Sequence, residues 1–396
     1  MLMDADRRNI FDYHDISEII SDVAFTSMAK PVGKRCNLNC SYCYYLKSER
    51  QSTGLMSEAI LEEYIRQYIG GQNSDSISFC WHGGEPTTAG LDYFKKAVEL
   101  QRKHSGGKEI VNTFQTNGIL INHQWCSFFK ENQFLVGLSI DGPAHIHDGY
   151  RKWSSGRSSF EAALNAAKMF HDTGVEFNTL TTVNNLSEGK GEEVYLFLRD
   201  IVGSRFMQFL PVADQACTGS GPSRYSITPE GYGNFLTDIF DIWVKHDVGD
   251  VFVQIFESTL AQICGYQAAV CTLGEYCSNS LTVEVNGDVY PCDHFVYDEF
   301  RLGNITDQNL ADIFKSHKRI DFTLAKKTSL PERCCSCRYI FLCHGDCPKH
   351  RFAENSESYL CKGLMHYFEH VEPYMIYIKG LLESGLPASL IKSKLK

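Results

Sequence analysis

Cys36, Cys40 and Cys43 form a C-x3-C-x2-C array inside RCNLNCSYCYY, and Cys334, Cys337, Cys343 and Cys347 form C-x2-C-x5-C-x3-C. With 16 cysteines in 396 residues, chance produces the first spacing roughly once in 40 such chains and the second on the order of once in a thousand. A thiol that only fills a core behaves as a small hydrophobe, and burial imposes no such spacing. Both arrays therefore read as thiolates held for metal, and thiolate-only ligation favours zinc or an iron–sulfur cluster. Three thiolates leave one iron of a four-iron cube without a protein ligand, and an open position marks a reactive metal site. The last third of the chain is different. Cys271, Cys277, Cys292, Cys334, Cys335, Cys337, Cys343, Cys347 and Cys361 suffice for two closed four-thiolate sites, which suit electron transfer or structure. Cys80, Cys126, Cys217 and Cys264 are scattered.

The segments between these arrays alternate in period. Apolar, β-branched runs at 23–30, 77–83, 111–117, 135–141, 176–183 and 205–212 predict strands. The patterns at 91–104 and 159–174 predict helices, the second stopped by Gly174. Strand–helix alternation implies right-handed crossovers and a parallel sheet, and six such units make an incomplete barrel. The first cysteine array, GGEP (83–86), QTNG (115–118), SIDGP (139–143) and QFLP (208–211) all fall at strand C-terminal ends. In a barrel those ends share one mouth, where active sites are built. After residue 265, Asn286-Gly287 inside LTVEVNGDVYPCDHF predicts a hairpin. The remainder is loop-rich, as in a small domain stabilised by metal ligation. A helical tail follows, with Pro373 and Pro387 as interruptions.

Composition narrows the classes. Lys+Arg 38 against Asp+Glu 48 gives a net charge of −10, which disfavours nucleic acid as a partner. A hydrophobic content of 43% with 12% aromatics supports a packed core. No run approaches the roughly 18 apolar residues of a membrane span, and the N-terminal segment is too polar for a secretory signal. Cytoplasmic location without a membrane partner is expected.

Read alone, single residues are ambiguous. Gly83 and Gly84 suit close backbone approach but also an ordinary turn. Glu85 suits a first helical turn. Ser139 reads equally as a polar strand residue, Arg151 as a surface cation, and Tyr42 and Tyr45 as packing aromatics. Asp293 reads as a solvated hairpin end.

In combination the motifs say more. The first array, with Tyr42 before its last cysteine, resembles the radical S-adenosylmethionine superfamily, whose fold is a partial (β/α)6 TIM-like barrel. The later cysteines resemble a SPASM domain with two auxiliary [4Fe–4S] clusters. AKPVGKRCNLNCSYCYYL, HGGEPTTAGLDYF, FQTNGILI, FLVGLSIDGP and NGDVYPCDHFVY together are similar to anaerobic sulfatase-maturating enzymes. The implied organisation is an extension (1–22), the barrel (23–260), the SPASM domain (261–365) and C-terminal helices (366–396).

The resemblance implies that Cys36, Cys40 and Cys43 hold the cluster that binds S-adenosylmethionine. Cys271, Cys277, Cys292 and Cys347 would hold the first auxiliary cluster, and Cys334, Cys337, Cys343 and Cys361 the second. Cys335 competes with its neighbours, but C-x2-C spacing favours the outer pair, leaving it with Cys80, Cys126, Cys217 and Cys264 as packing residues. Tyr42, Gly84, Ser139, Arg151 and Ala213 match contacts to S-adenosylmethionine. Tyr45, His82 and Gln115 match substrate-facing positions, and His82 stands where the family pattern has Gln. The implied reaction oxidises a sulfatase cysteine or serine to Cα-formylglycine: a 5′-deoxyadenosyl radical removes a Cβ hydrogen, and Asp293 matches the base. The implied partners are an unfolded or nascent sulfatase polypeptide and a flavodoxin- or ferredoxin-type electron donor. Two rivals stand beside this reading. One is a SPASM enzyme crosslinking another peptide, against which the first 25 residues show no leader-binding domain. The other is a non-catalytic zinc module.

Overall fold

The computed structural model describes residues 24–47, 53–216 and 221–395. The expected N-terminal extension and Cys217 lie outside them. Six parallel strands follow the expected order: β1 (Thr26–Ala29), β2 (Ser76–Trp81), β3 (Glu109–Thr116), β4 (Leu135–Ser139), β5 (Phe177–Val183) and β6 (Phe206–Pro211). Each pairs with its sequence neighbour, for example Ser27 with Phe79 and Phe114 with Val136. A short β7 (Phe252–Val253) adds to the β6 edge in parallel.

The crossover helices carry local stop and start signals. α1 (Glu58–Gly70) begins at Ser57, whose side chain accepts the Ile60 N–H. α2 (Leu91–His104) occupies the predicted span. α3 (His123–Glu131) is capped by Asn122, which accepts from the N–H groups of Gln124 and Trp125. α4 (Phe160–Thr173) ends at Gly174 with φ 67°, a left-handed cap that a side chain would strain. Between sheet and helices lies an aromatic core that includes Tyr64, Phe79, Trp81, Phe94 and Phe114. Burying such a side chain contributes about 1.5–3 kcal/mol.

The hairpin predicted at 280–290 forms, but its place was not foreseen. β8 (Ser280–Val283) pairs in parallel with β1, Met28 opposite Thr282. β9 (Asp288–Tyr290) returns antiparallel and β10 (Gly303–Asn304) completes one ten-stranded sheet. The cysteine-rich region is thus joined to the barrel through β1, the strand that leads into Cys36.

α5 (Pro229–His246) and α6 (Gln254–Ile263) precede the hairpin, and α7 (Cys361–Glu383) is the long C-terminal helix, followed by a short one at Ile391–Lys394. Pro373 does not interrupt α7, contrary to expectation. Proline frees the carbonyl one turn earlier, and Pro373 and Glu369 both lie on the exposed face where water can reach that group. Gly363 of α7 lies so close to Pro229 of α5 that a Cβ there would collide with its carbonyl oxygen. This backbone contact anchors the Cys361 end of α7.

Candidate functional site

The parallel order brings the motif-bearing strand ends to one mouth. Beyond β1, the loop holding Cys36, Cys40 and Cys43 is tied down by backbone bonds from Gly84 N–H to Gly33 O (2.7 Å) and from Glu85 N–H to Arg35 O (2.8 Å). A side chain at Gly84 would overlap the Arg35 carbonyl, so only glycine permits this approach. Glu85 is buried and accepts from the Thr87 N–H, the Thr87 and Thr116 hydroxyls and the Asn117 N–H. Asn117 in turn donates to Asn37 Oδ1 at 2.8 Å, beside Cys36. One carboxylate therefore joins the ends of β2 and β3 to the cysteine loop.

The three thiols lie within electrostatic reach of one another. Burial, then Glu85 and the two neighbouring thiols, push Cys36 up to about 12, and burial raises Cys40 to about 11. Coordination to a metal would deprotonate such thiols outright.

Tyr42 donates to Asp141 Oδ2 at 2.5 Å, and Arg151 Nη1 donates to the Tyr42 oxygen at 2.7 Å. Asp141 also accepts the Thr182 N–H and lies 3.6 Å from Arg151. Arg151 is 8% exposed, with a buried Nε that lacks a partner among the described residues. The surface-cation alternative is thereby excluded. Ser139 Oγ accepts from Gln115 Nε2 at 2.9 Å, linking an expected cofactor contact to an expected substrate contact. Ala213 is buried just beyond β6.

On the β8 side the mouth is richer than the sequence suggested. Tyr45 is buried and donates to Glu284, with both carboxylate oxygens within 3.0 Å. The Lys30 ammonium sits 3.7 Å over the Tyr45 ring. Tyr44 donates to Asp293 Oδ2 at 2.8 Å and stacks on His294 at 4.5 Å. Asp293 is partly buried; burial favours its neutral form, but the Lys30 ammonium and the Tyr44 hydroxyl hold it below the usual carboxylate range. It is an anion at neutral pH. Burial and Lys30 push His82 down to about 4, so its imidazole is neutral at pH 7. Its Nδ1 accepts the Gly83 N–H at 2.7 Å, which leaves Nε2 as a donor, as the amide of the family's Gln would be.

The C-terminal thiols gather in two groups. Cys271, Cys277, Cys292 and Cys347 interact electrostatically with one another, as do Cys334, Cys343 and Cys361, with Cys337 acting on Cys334 and Cys361. The second four line a cavity of about 220 Å³ with Gly345 and Phe368. Cys335 is not on that lining. It is exposed, its thiol 3.8 Å from the Pro331 carbonyl, so the expected packing role is corrected. It follows Cys334 on a one-turn helix, Glu332–Cys335, that turns one neighbour inward and the other outward. Cys126 is buried as expected.

Sequence reading missed Lys30, Tyr44, Glu85, Asp141 and Glu284 as a set. Each stood in a quoted phrase, yet each acts through a partner from 15 to 249 positions away, and no local pattern carries that signal.

A parallel partial barrel with three clustered thiols at its mouth, continued into a thiol-dense domain, defines a radical S-adenosylmethionine enzyme. The Radical SAM superfamily model matches residues 31–198, and the iron–sulfur cluster-binding SPASM model matches residues 271–338. The chain is 41% identical to a serine-type anaerobic sulfatase-maturating enzyme of Bacteroides thetaiotaomicron, across 92% of this chain and 94% of the relative. It is 35% identical to a cysteine-type enzyme of Clostridium perfringens, across 89% and 97%. A solved structure, native anSMEcpe with bound AdoMet and Cp18Cys peptide, superposes with a TM-score of 0.83 at 34% identity, covering 90% of this chain and 99% of that one. The chain belongs to the anaerobic sulfatase-maturating enzymes. Among the described residues no helix is long and apolar enough to cross a membrane.

Proposed function

We propose that the protein oxidises a serine or cysteine of a sulfatase polypeptide to Cα-formylglycine. The observation that carries this is Asp293, kept anionic beside Tyr44 and Lys30 and next in sequence to Cys292. A proton acceptor thus adjoins the ligand of an electron acceptor, and an alcohol or thiol must lose both to become a carbonyl. Three [4Fe–4S] clusters are proposed. Cys36, Cys40 and Cys43 would hold the first, Cys271, Cys277, Cys292 and Cys347 the second, and Cys334, Cys337, Cys343 and Cys361 the third. The cavity that Cys334, Cys337, Cys343 and Cys361 line, with Cys335 exposed outside it, supports the third set. When bound, S-adenosylmethionine and the reduced first cluster supply the 5′-deoxyadenosyl radical that takes a hydrogen atom from the target Cβ.

The chain's own residues do the rest. Tyr42, Gly84, Ser139, Arg151 and Ala213 would surround the cosubstrate. Arg151 would be held toward it through Tyr42 and Asp141. Tyr45, His82 and Gln115 would face the peptide. Asp293 would accept the hydroxyl or thiol proton, the role of a general base within hydrogen-bond reach. A flavodoxin- or ferredoxin-type protein would deliver the low-potential electron.

Anaerobic incubation with peptides bearing S-x-P-x-R and C-x-P-x-R tests the reading. Formylglycine appears as a loss of about two mass units from serine, or about eighteen from cysteine after hydrolysis, with 5′-deoxyadenosine released in step. Release of 5′-deoxyadenosine without either mass change would favour a different peptide modification; release of none would remove the radical mechanism itself.

A further inference from the structure

Lys30 is the first residue beyond β1, where the sheet meets the cysteine loop. It is 0% exposed, and its Nζ has no hydrogen-bond partner among the described residues. Burying an ammonium costs several kcal/mol unless it is paired and hydrogen-bonded. The Tyr45 ring face, 3.7 Å away, offsets part of that cost through a cation–π contact. A ring face cannot accept three N–H bonds, however. No hydrogen bond joins the ammonium to the nearby carboxylates, Glu284 accepting the Tyr45 hydroxyl and Asp293 the Tyr44 hydroxyl. The ammonium therefore lacks an oxygen or sulfur acceptor, and it lacks one within electrostatic reach of the proposed base.

We propose that Lys30 is a substrate-binding residue whose ammonium donates to the side-chain oxygen or sulfur of the residue being oxidised. This rests on the formylglycine reading and adds the group that fixes the target heteroatom. After the Cβ hydrogen atom is gone, the heteroatom's proton passes to Asp293 and one electron passes to an oxidised iron–sulfur cluster. The single C–O or C–S bond becomes double. Lys30 donates a hydrogen bond only, and it faces the negative charge that gathers on the heteroatom as that proton leaves. The same contact selects for serine or cysteine over residues with no heteroatom at that position.

The test compares a peptide bearing S-x-P-x-R with its A-x-P-x-R counterpart on the full, reconstituted protein under anaerobiosis. Two quantities are read: the affinity ratio of the two peptides, and formylglycine formed per 5′-deoxyadenosine. Wild type should prefer the serine peptide. Lys30→Met should bring that preference close to unity and lower the product ratio roughly tenfold or more, as for loss of a hydrogen bond to a charged group. Lys30→Arg should recover part of both. If Lys30→Met fails to fold because Glu284 is left alone, Lys30→Met/Glu284→Gln removes both charges and the same two readings apply. A variant that keeps the serine preference and the product ratio overturns the proposal. So does one that weakens both peptides equally with the product ratio unchanged. Failure of the formylglycine reading is separately visible, as wild type that converts neither a serine nor a cysteine peptide.

Discussion

The barrel mouth and the cysteine-rich region hold thiols in opposite ways. Cys36, Cys40 and Cys43 hang from the end of a buried strand, and the loop between them is fixed by Glu85, Asn117 and Gly84. Cys334, Cys337 and Cys343 instead sit on or beside one-turn helices, Glu332–Cys335 and Ile340–Cys343, around a cavity. In the first region the hydrophobic core makes the site. In the second the site must make the structure, because a short helix with few buried residues cannot hold itself in water. An open reactive site benefits from a scaffold that stays in place whether or not the metal is bound. Closed sites can be part of the scaffold.

The largest effect should come from removing one ligand on each side. Cys36→Ala should abolish 5′-deoxyadenosine formation while leaving the melting temperature of the barrel nearly unchanged. Cys343→Ala should open the segment around residues 330–361 to proteolysis and hydrogen exchange, as metal-dependent small domains do when a ligand is lost. Unfolding of the first variant, or full protection in the second, would break the contrast.

Next in size is Asp293→Asn. It should lower formylglycine formation by about 10²–10⁴-fold, the usual contribution of a general base. Cluster iron and 5′-deoxyadenosine release should persist. The peptide assay with nucleoside quantification separates the two, and full product formation would remove Asp293 from the reaction.

Much of this division was readable in advance because it is written locally. Strand positions came from apolar, β-branched runs, the end of α4 from Gly174, and the hairpin from Asn286-Gly287, with Gly287 at φ 85°. Pairing of β8 with β1 was not readable, since nothing near residue 282 specifies residue 28. The same holds inside the mouth. Tyr42 and Arg151 were named from motif phrases, but Asp141, which joins them, emerges only when β4 and its following helix come together. Pro373 misled for the complementary reason: the penalty of proline depends on whether the freed carbonyl faces water, and sequence does not show that.

Smaller effects probe how firmly the mouth is held. Asp141→Asn removes the charge facing Arg151 and should weaken S-adenosylmethionine affinity by about 10–100-fold, in the range of residues that orient a direct ligand. Equilibrium binding to the reconstituted protein measures it, and wild-type affinity would show that Arg151 needs no such partner. Glu85→Gln keeps an acceptor but gives up charge-assisted bonds, and should destabilise the barrel by about 1–3 kcal/mol in denaturant unfolding. No change there would mean that the cysteine loop holds its shape by backbone contacts alone.

The smallest effect is a pH dependence confined to the mouth. Burial, then Lys30, push His82 down to about 4, and burial, then Arg151, hold His147 well below the ordinary histidine value. Both imidazoles are neutral in the folded protein, and His147 accepts the Asp141 N–H through Nδ1. In the unfolded chain each takes a proton near pH 6.5. Between about pH 6.5 and 4 the unfolded state therefore binds more protons than the folded one, and stability falls as pH falls. Above about 6.5 neither histidine contributes any slope. Replacing His82 with Gln, which retains a donor without a titrating group, should flatten the decline between pH 7 and 5 relative to wild type in matched denaturant melts. An unchanged decline would mean that His82 takes up its proton at the same pH folded as unfolded, so that the folded ring is charged below about pH 6.5. Its ring could not then use Nδ1 to accept the Gly83 N–H, and the β2 end of the mouth would have to be arranged differently from the cysteine loop it supports.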